Sequence, residues 1–181
     1  MATESKPIEL GLPCPTFSLP GVDGKLHGLD DYRASDVLVI GFTCNHCPYV
    51  QAYEMRLVDL VKELRGKSVS FLCINSNDEK KYPEDSFEEM KIRAQKLGFN
   101  FDYLRDESQQ TAKAFNAACT PEFFVYGKDR RLSYHGRLDD NHKNAKAAKE
   151  HYLKEAILSL LEGSTPKLSQ TSAIGCGIKW K

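Results

Sequence analysis

The sequence lacks a surplus of either charge and is poor in glycine and proline. Its 25 Lys and Arg residues balance 25 Asp and Glu residues, so the formal net charge of the 181-residue chain is zero. Proteins that bind nucleic acids through phosphates normally carry an excess of basic side chains. We therefore expect no nucleic-acid partner. With only 12 Gly and 8 Pro, a collagen-like or low-complexity chain is also excluded.

Long apolar segments are missing as well. The longest run, Val37 to Phe42, is far shorter than the roughly 18 residues that span a bilayer. Residues 1–7 contain no apolar stretch of the kind that directs export. We therefore expect a cytoplasmic protein without a membrane partner. The length predicts one domain, at 1–163, followed by a C-terminal tail at 164–181, which could dock on it.

Cysteine is the residue type that the chain does have in quantity. Six cysteines in a chain without an export signal favour redox chemistry or metal binding over structural disulfides. Cys44 and Cys47 form a C-x-x-C motif. This spacing alone is a weak signal, so the elements on either side of the motif decide how it is interpreted.

The hydrophobic pattern predicts an α/β protein. Asp23-Gly24, between two alternating stretches, predicts a β-hairpin within 16–29. The run at 37–42 predicts a strand buried on both faces, and residues 49–65 have the period of an amphipathic helix. The remaining patterns predict a strand at 69–74, helices at 86–97 and 106–115, a strand at 101–104, a hairpin formed by 122–126 and 132–135, and a last helix at 144–162.

The C-x-x-C motif joins the first buried strand to the first long helix. Unpaired N–H groups and the helix dipole stabilise negative charge at a helix N-terminus. We therefore expect Cys44 to lie exposed there with a lowered pKa and to act as the nucleophile. Cys47, roughly one helical turn away, would resolve the mixed disulfide. Pro48 is tolerated in the first turn because its missing N–H would have no partner there.

These residues resemble the thioredoxin superfamily. The resemblance lies in the stretch 39–48 (VIGFTCNHCP), in Thr120-Pro121 before a strand, and in the stretch 11–19 (GLPCPTFSL). More narrowly, the chain is similar to the peroxiredoxin-like redoxin branch, of the AhpC/TSA type, which carries an added N-terminal β-hairpin. The resemblance implies a thioredoxin fold, with a mixed central sheet flanked by helices, and requires no cofactor.

The resemblance also implies an activity. It predicts a thiol–disulfide oxidoreductase that acts on protein or small-molecule disulfides and is served by an electron donor that the sequence does not identify. Pro121 would be the cis-proline facing the motif, and the backbone of Thr120 would pair with a partner strand. His46 would favour the Cys44 thiolate; alternatively, it is an exposed loop histidine without a role.

Three departures from the superfamily pattern matter. Thr43 stands where thioredoxins usually have tryptophan, and the strand at 37–42 contains no carboxylate to serve as proton acceptor. The threonine and arginine that peroxiredoxins use to bind peroxide are not found at the corresponding positions. The alternative function, a peroxiredoxin-like thiol peroxidase that reduces hydroperoxides, is therefore expected to be weak.

Two further uses of the motif are disfavoured. A zinc site could in principle combine C-x-x-C with other ligands, but there is no second close pair of cysteines, and we predict no metal. A binding module with a degenerate fold is disfavoured because both cysteines of the motif are present. The ligands considered for zinc are His46, Cys119, His135 and Cys176.

Cys176 is a candidate third thiol. It stands between Gly175 and Gly177, which permit close backbone approach. Ile178 and Trp180 give the tail apolar area with which to dock. The alternative is a frayed terminus with an incidental cysteine.

Overall fold

The fold is described by a computed structural model that covers residues 2–181. Its helices are α1 (Pro48–Glu63), α2 (Phe87–Leu97), α3 (Gln110–Ala114) and α4 (Tyr152–Leu161). Its strands are β1 (Ala2–Glu4), β2 (Ser18–Pro20), β3 (Leu26–Gly28), β4 (Val37–Thr43), β5 (Val69–Asn75), β6 (Asp102–Arg105), β7 (Cys119–Thr120), β8 (Glu122–Tyr126), β9 (Leu132–Gly136) and β10 (Ile174–Gly177).

A five-stranded mixed sheet forms the centre of the molecule. Its strand order is β6-β5-β4-β8-β9. β4 runs parallel to β5, and β5 to β6, whereas β8 is antiparallel to both β4 and β9. β2 and β3 form the predicted N-terminal hairpin. The predicted α/β class, with a mixed sheet and an added hairpin, is therefore confirmed.

Helices cover both faces of this sheet because the side chains of β4 are apolar on both sides. Val37 and Val39 belong to the core beneath α1, α2 and α4. Leu38 and Ile40 pack on the opposite face, with α3 and the N-terminal hairpin. Each such side chain contributes roughly 1.5–3 kcal/mol on burial. This packing fixes the end of β4, where the C-x-x-C motif begins.

Local signals set the helix boundaries. α1 begins at Pro48, with Cys47 as the N-cap residue. α2 follows Ser86, whose Oγ accepts the backbone N–H of Glu89 at 3.4 Å, and ends at Gly98 in the left-handed conformation. Among residues 2–181, no helix combines the length and the apolar character that crossing a membrane requires.

Two helices are shorter than predicted. α4 begins at Tyr152 rather than at 144, and α3 covers only part of the range 106–115. The Asn141 side chain accepts the N–H of Asn144 at 2.9 Å, and the Asn144 side chain accepts that of Lys146 at 3.0 Å. Such local bonds compete with the helical pattern, so 144–151 forms a loop with one 3-10 turn (Ala145–Ala147).

The C-terminal tail contributes a strand that its sequence pattern did not predict. β10 lies between β1 and β7 and is antiparallel to both, with Cys176 opposite Ala2 on one side and Thr120 on the other. A Cβ atom on Gly175 would collide with the carbonyl oxygen of Thr120. The absence of a side chain at this position therefore allows β10 to lie directly against the strand that precedes Pro121.

Candidate active site

Three of the six cysteines meet at the end of β4. Cys44 and Cys47 form a small buried cluster with Val50, and Cys176 and Tyr49 pack against it. All three cysteines are free thiols. Cys44 is 1% exposed and Cys47 is 0% exposed, whereas Cys176 is half-buried. The expectation that Cys44 lies exposed at the helix terminus is wrong, because Cys47 occupies the N-cap and neither sulfur reaches the surface.

Thr120 contacts both sulfurs of the motif. The Thr120–Pro121 peptide bond is cis. Cys44 Sγ lies 3.3 Å from Thr120 Oγ1, and Cys47 Sγ lies 3.3 Å from the carbonyl oxygen of Thr120. The backbone of Thr120 is already paired with β10, in register with Cys176. The chain's own C-terminal strand therefore occupies the position that the resemblance assigned to a partner strand.

The pKa values of the two thiols of the motif are shifted in opposite directions. The pKa of Cys47 is lowered to about 5, chiefly by the Cys44 thiol and, against the effect of burial, by the Cys176 thiol and the backbone N–H groups of Val50 and Cys176. The pKa of Cys44 is raised by Cys47, by burial and by the carboxylate of Asp85. The surroundings of the pair therefore favour negative charge at Cys47 over Cys44, whereas the sequence predicts the thiolate at Cys44.

His46 is bonded to a buried carboxylate rather than to a sulfur. Its Nδ1 lies 2.6 Å from Asp85 Oδ2, and its ring stacks on Tyr82 with a centroid separation of 4.9 Å. That His46 favours the Cys44 thiolate stays a prediction, although its Nδ1 faces Asp85. His46 is not a loop histidine without contacts, since the ion-pair partner Asp85 is fully buried.

Asp85 is a site residue that the sequence analysis missed. It lies in a 3-10 turn (Pro83–Asp85) between β5 and α2, a segment without a motif. Its carboxylate also accepts the N–H of Asn45 at 2.6 Å and the side-chain amide of Asn77 at 2.7 Å. Asn77 Oδ1 in turn accepts the N–H of Lys179 at 2.8 Å. Asn77 thus links the carboxylate beside Cys44 to the C-terminal tail.

A second buried ion pair supports the strand before Pro121. Glu122 Oε1 lies 2.6 Å from His135 Nε2, and both side chains are almost completely buried. The other oxygen of Glu122 accepts the N–H groups of Ala118 and Cys119 at 2.7 and 3.1 Å. This carboxylate therefore satisfies the backbone of β7. No short-range sequence signal pairs Glu122 with His135.

The structure brings together one group of side chains that can be compared with the zinc ligands considered above. Among residues 2–181, the group of side chains that could hold a metal ion is Cys44, His46 and Asp85, whose ligand atoms lie within 4.8 Å of one another. Both oxygens of Asp85 already accept hydrogen bonds from the protein. His135, which the hypothesis included, is bonded to Glu122 instead. We assign no metal to these residues.

Fold and site together define a class of protein. A mixed sheet, a C-x-x-C turn that leads from a central strand into a helix, and a cis-proline beside both sulfurs are the features of a thioredoxin-fold oxidoreductase. Residues 10–135 match the AhpC/TSA family. The chain belongs to this family, in the redoxin branch of the thioredoxin superfamily.

Similar proteins agree with this assignment. The thiol-disulfide oxidoreductase ResA of Geobacillus thermodenitrificans (strain NG80-2) is 24% identical over 132 residues, which cover 72% of this chain and 70% of that protein. An uncharacterized conserved protein from Geobacillus kaustophilus has a crystal structure that is 44% identical, with a TM-score of 0.95 over 100% of this chain and 97% of the other. The hypothetical protein SMc02350 from Sinorhizobium meliloti 1021 is 37% identical, with a TM-score of 0.94 over 99% and 98%.

Proposed function

We propose that the protein is a thiol–disulfide oxidoreductase in which Cys44 and Cys47 cycle between the dithiol and the disulfide. The observation that carries this proposal is the contact of both sulfurs with Thr120 beside the cis-proline, at 3.3 Å each. The lowered pKa of Cys47 next to the raised pKa of Cys44 agrees with it. A thiolate next to a thiol is the arrangement that thiol–disulfide exchange requires. The relative named a thiol-disulfide oxidoreductase supports the same activity.

The order of events is inferred from the lowered pKa of Cys47 and the raised pKa of Cys44. The Cys47 thiolate attacks one sulfur of a disulfide and displaces the other as a thiolate. Cys44 then loses its proton and attacks the Cys47 sulfur, which closes the Cys44–Cys47 disulfide and expels the thiolate bound to Cys47. This order reverses the roles predicted from the sequence. Substrates are protein or small-molecule disulfides, and a dithiol donor restores the pair.

His46 is the residue that we assign to the proton of Cys44. Its ring nitrogen and Cys44 Sγ belong to a group of atoms within 4.8 Å of one another, a separation that one water molecule can bridge. Asp85 orients the imidazole. This pair supplies the base that the strand before the motif does not contain.

A thiol peroxidase is the second candidate, because a stabilised thiolate also attacks hydroperoxides. Peroxide reduction gains speed from donors that polarise the O–O bond in the transition state. Arg93 is close enough for the charge of Cys44 to affect its pKa, but its guanidinium makes two bonds to Glu54, at 2.6 and 2.7 Å. We therefore rank peroxidase activity second.

The proposal is tested by insulin-disulfide reduction with dithiothreitol as donor. We expect Cys47→Ser to lower turnover to the rate of dithiothreitol alone, whereas the matched variant Cys14→Ser keeps normal turnover. Peptide mapping of the oxidised protein should show a Cys44–Cys47 disulfide. Normal turnover by Cys47→Ser, or free thiols at both positions after oxidation, would refute the proposal.

A further inference from the structure

The C-terminal strand places a third sulfur beside the buried pair. Cys176 packs against the cluster of Cys44, Cys47 and Val50. Both its thiol and its backbone N–H act on the Cys47 sulfur. Cys44 and Cys47 are 1% and 0% exposed, whereas Cys176 is half-buried. Of these three residues, the one on the tail is therefore the one that a molecule outside the protein can approach.

The tail is held in this position by the rest of the protein. Lys179 donates its N–H to Asn77 Oδ1, and its carbonyl accepts the N–H of Asp78 and the side-chain amide of Gln109, all at 2.8 Å. Ile178 donates its N–H to the carbonyl of Ala118 at 3.2 Å. On the other edge, β10 pairs with β1. A partner strand consequently finds both edges of β10 and the edge of Thr120 occupied.

We propose that Cys176 is the thiol through which the buried Cys44–Cys47 pair exchanges with dithiols and disulfides outside the protein. The tail strand occupies the position of a substrate strand. The disulfide alternates between the Cys44–Cys47 pair and the Cys47–Cys176 pair. This inference rests on the proposed function and refines its first step, because the partner exchanges with Cys176 rather than directly with the buried Cys47. The partner is a dithiol, either a small molecule or a protein with an exposed pair.

In the oxidised protein, the first step is internal. Cys176 gives up its proton and attacks the Cys47 sulfur, so that the Cys47–Cys176 bond forms as the Cys44–Cys47 bond breaks. Cys44 leaves as a thiolate and takes up the proton that Cys176 lost. No electrons are gained or lost in this step. The disulfide has moved from a buried position to a half-buried one.

The second stage involves the donor. One donor thiolate attacks the Cys176 sulfur, and Cys47 leaves as a thiolate. The donor's second thiol then attacks the donor's first sulfur, which is bonded to Cys176. The donor disulfide forms and Cys176 is released as a thiolate. The donor dithiol is oxidised to a disulfide, and the protein gains the two electrons. In the reduced protein, the pKa of Cys47 is lowered whereas those of Cys44 and Cys176 are raised, and a thiol of lower pKa leaves faster.

The first experiment locates the alternative disulfide. Cys44→Ser is oxidised with diamide, quenched with acid and mapped by mass spectrometry under non-reducing conditions. We expect an internal Cys47–Cys176 disulfide. A free thiol at Cys176, or a Cys47 that reacts only with other molecules, would overturn the proposal.

The second experiment measures the rate of exchange. Oxidised Cys176→Ser still contains the Cys44–Cys47 disulfide, and we expect dithiothreitol to reduce it at least about tenfold more slowly than in the unmodified protein, because exchange depends on access to the sulfur under attack. Cys14→Ser serves as the matched control and should show the unmodified rate. An equal or faster rate for Cys176→Ser would show that the tail merely covers the pair.

The two proposals fail separately. If Cys176→Ser exchanges normally while Cys47→Ser is inactive, the third thiol is refuted and the dithiol function stands. If Cys47→Ser retains turnover, the dithiol function itself is refuted, whatever Cys176 does.

Discussion

Cys47 differs in its electrostatics from three other cysteines, Cys14, Cys73 and Cys119, that are buried to a similar degree. Burial raises the pKa of Cys14 to about 12 and also raises the pKa values of Cys73 and Cys119. Cys47 is as inaccessible as any of them, at 0% exposure, but its pKa is lowered to about 5. Burial alone therefore raises the pKa of a thiol, and donors directed at the sulfur lower it.

The largest of those donors is the Cys44 thiol, and the others come from two distant parts of the chain. The N–H of Val50 belongs to the first turn of α1, whereas the thiol and N–H of Cys176 belong to the tail strand. The corresponding thiol of Cys73 lies within β5, where its pKa is raised by burial and by Glu54. The tail is thus part of the electrostatic environment of the site. Displacing the tail strand or replacing Cys47 should therefore remove the difference between Cys47 and the other buried cysteines.

The largest effect is expected from Gly175→Ala. The new methyl group collides with the carbonyl of Thr120, so β10 must shift and uncover Cys47. We expect alkylation of Cys47 by iodoacetamide to become roughly 100-fold faster, because a sulfur that previously reacted only after local opening is now open in the ground state. The modified residue is identified by mass spectrometry.

Gly177→Ala is the matched control for this substitution. Its methyl group would lie 3.0 Å from Thr3 Oγ1, a side-chain atom that can rotate away. The alkylation rate of Gly177→Ala should stay close to that of the unmodified protein. Equal rates for the two alanine variants would mean that β10 does not shield Cys47.

A smaller effect is expected on stability. The folded pKa of Cys47 is about 5, whereas an unfolded cysteine has a pKa of about 8.5. A depressed folded pKa contributes stability above the unfolded pKa, and this contribution is lost as the pH falls towards the folded pKa. The free energy of unfolding of the reduced protein, relative to reduced Cys47→Ser, should therefore rise by roughly 2 kcal/mol between about pH 6 and pH 8.

Urea unfolding of both reduced proteins at a series of pH values measures this difference. Parallel curves for the two proteins would show that Cys47 is not a thiolate in the folded state. Cys14→Ser, which removes a thiol whose pKa is raised, should show no such rise with pH over the same interval.

The smallest effect concerns hydrogen peroxide. Without donors that polarise the O–O bond, the Cys47 thiolate should react within about tenfold of a small-molecule thiolate of equal pKa. Stopped-flow measurement of the second-order rate constant with hydrogen peroxide tests this prediction. A rate several orders of magnitude faster would promote the peroxidase to the first candidate.

Much of the fold could be predicted because its signals are local. The apolar run at 37–42, the helical period at 49–65 and the Asp23-Gly24 turn each lie within one element, and the structure places β4, α1 and the hairpin there. The last helix was predicted too long because apolar spacing continues through 144–151, where the asparagine side chains hold the backbone in turns.

The site was less predictable because its decisive contacts are distant in sequence. Cys47 was recognised from the motif, but the donors that set its pKa include Cys176. Asp85 approaches His46 from a segment whose composition has no distinctive pattern. The strand β10 exists because two other strands pair with it, so the tail alone contains no signal for it.

The most direct test is a titration of thiolate absorbance in the far ultraviolet, on the reduced unmodified protein and on Cys44→Ser and Cys47→Ser. We expect a thiolate that forms with a midpoint of about 5 in the unmodified protein. In Cys44→Ser the transition should persist at a higher pH, because the largest donor to Cys47 is altered, and in Cys47→Ser it should be absent below about pH 8. A low-pH transition that persists in Cys47→Ser and disappears in Cys44→Ser would contradict the assignment of the thiolate to Cys47 and would assign it to Cys44.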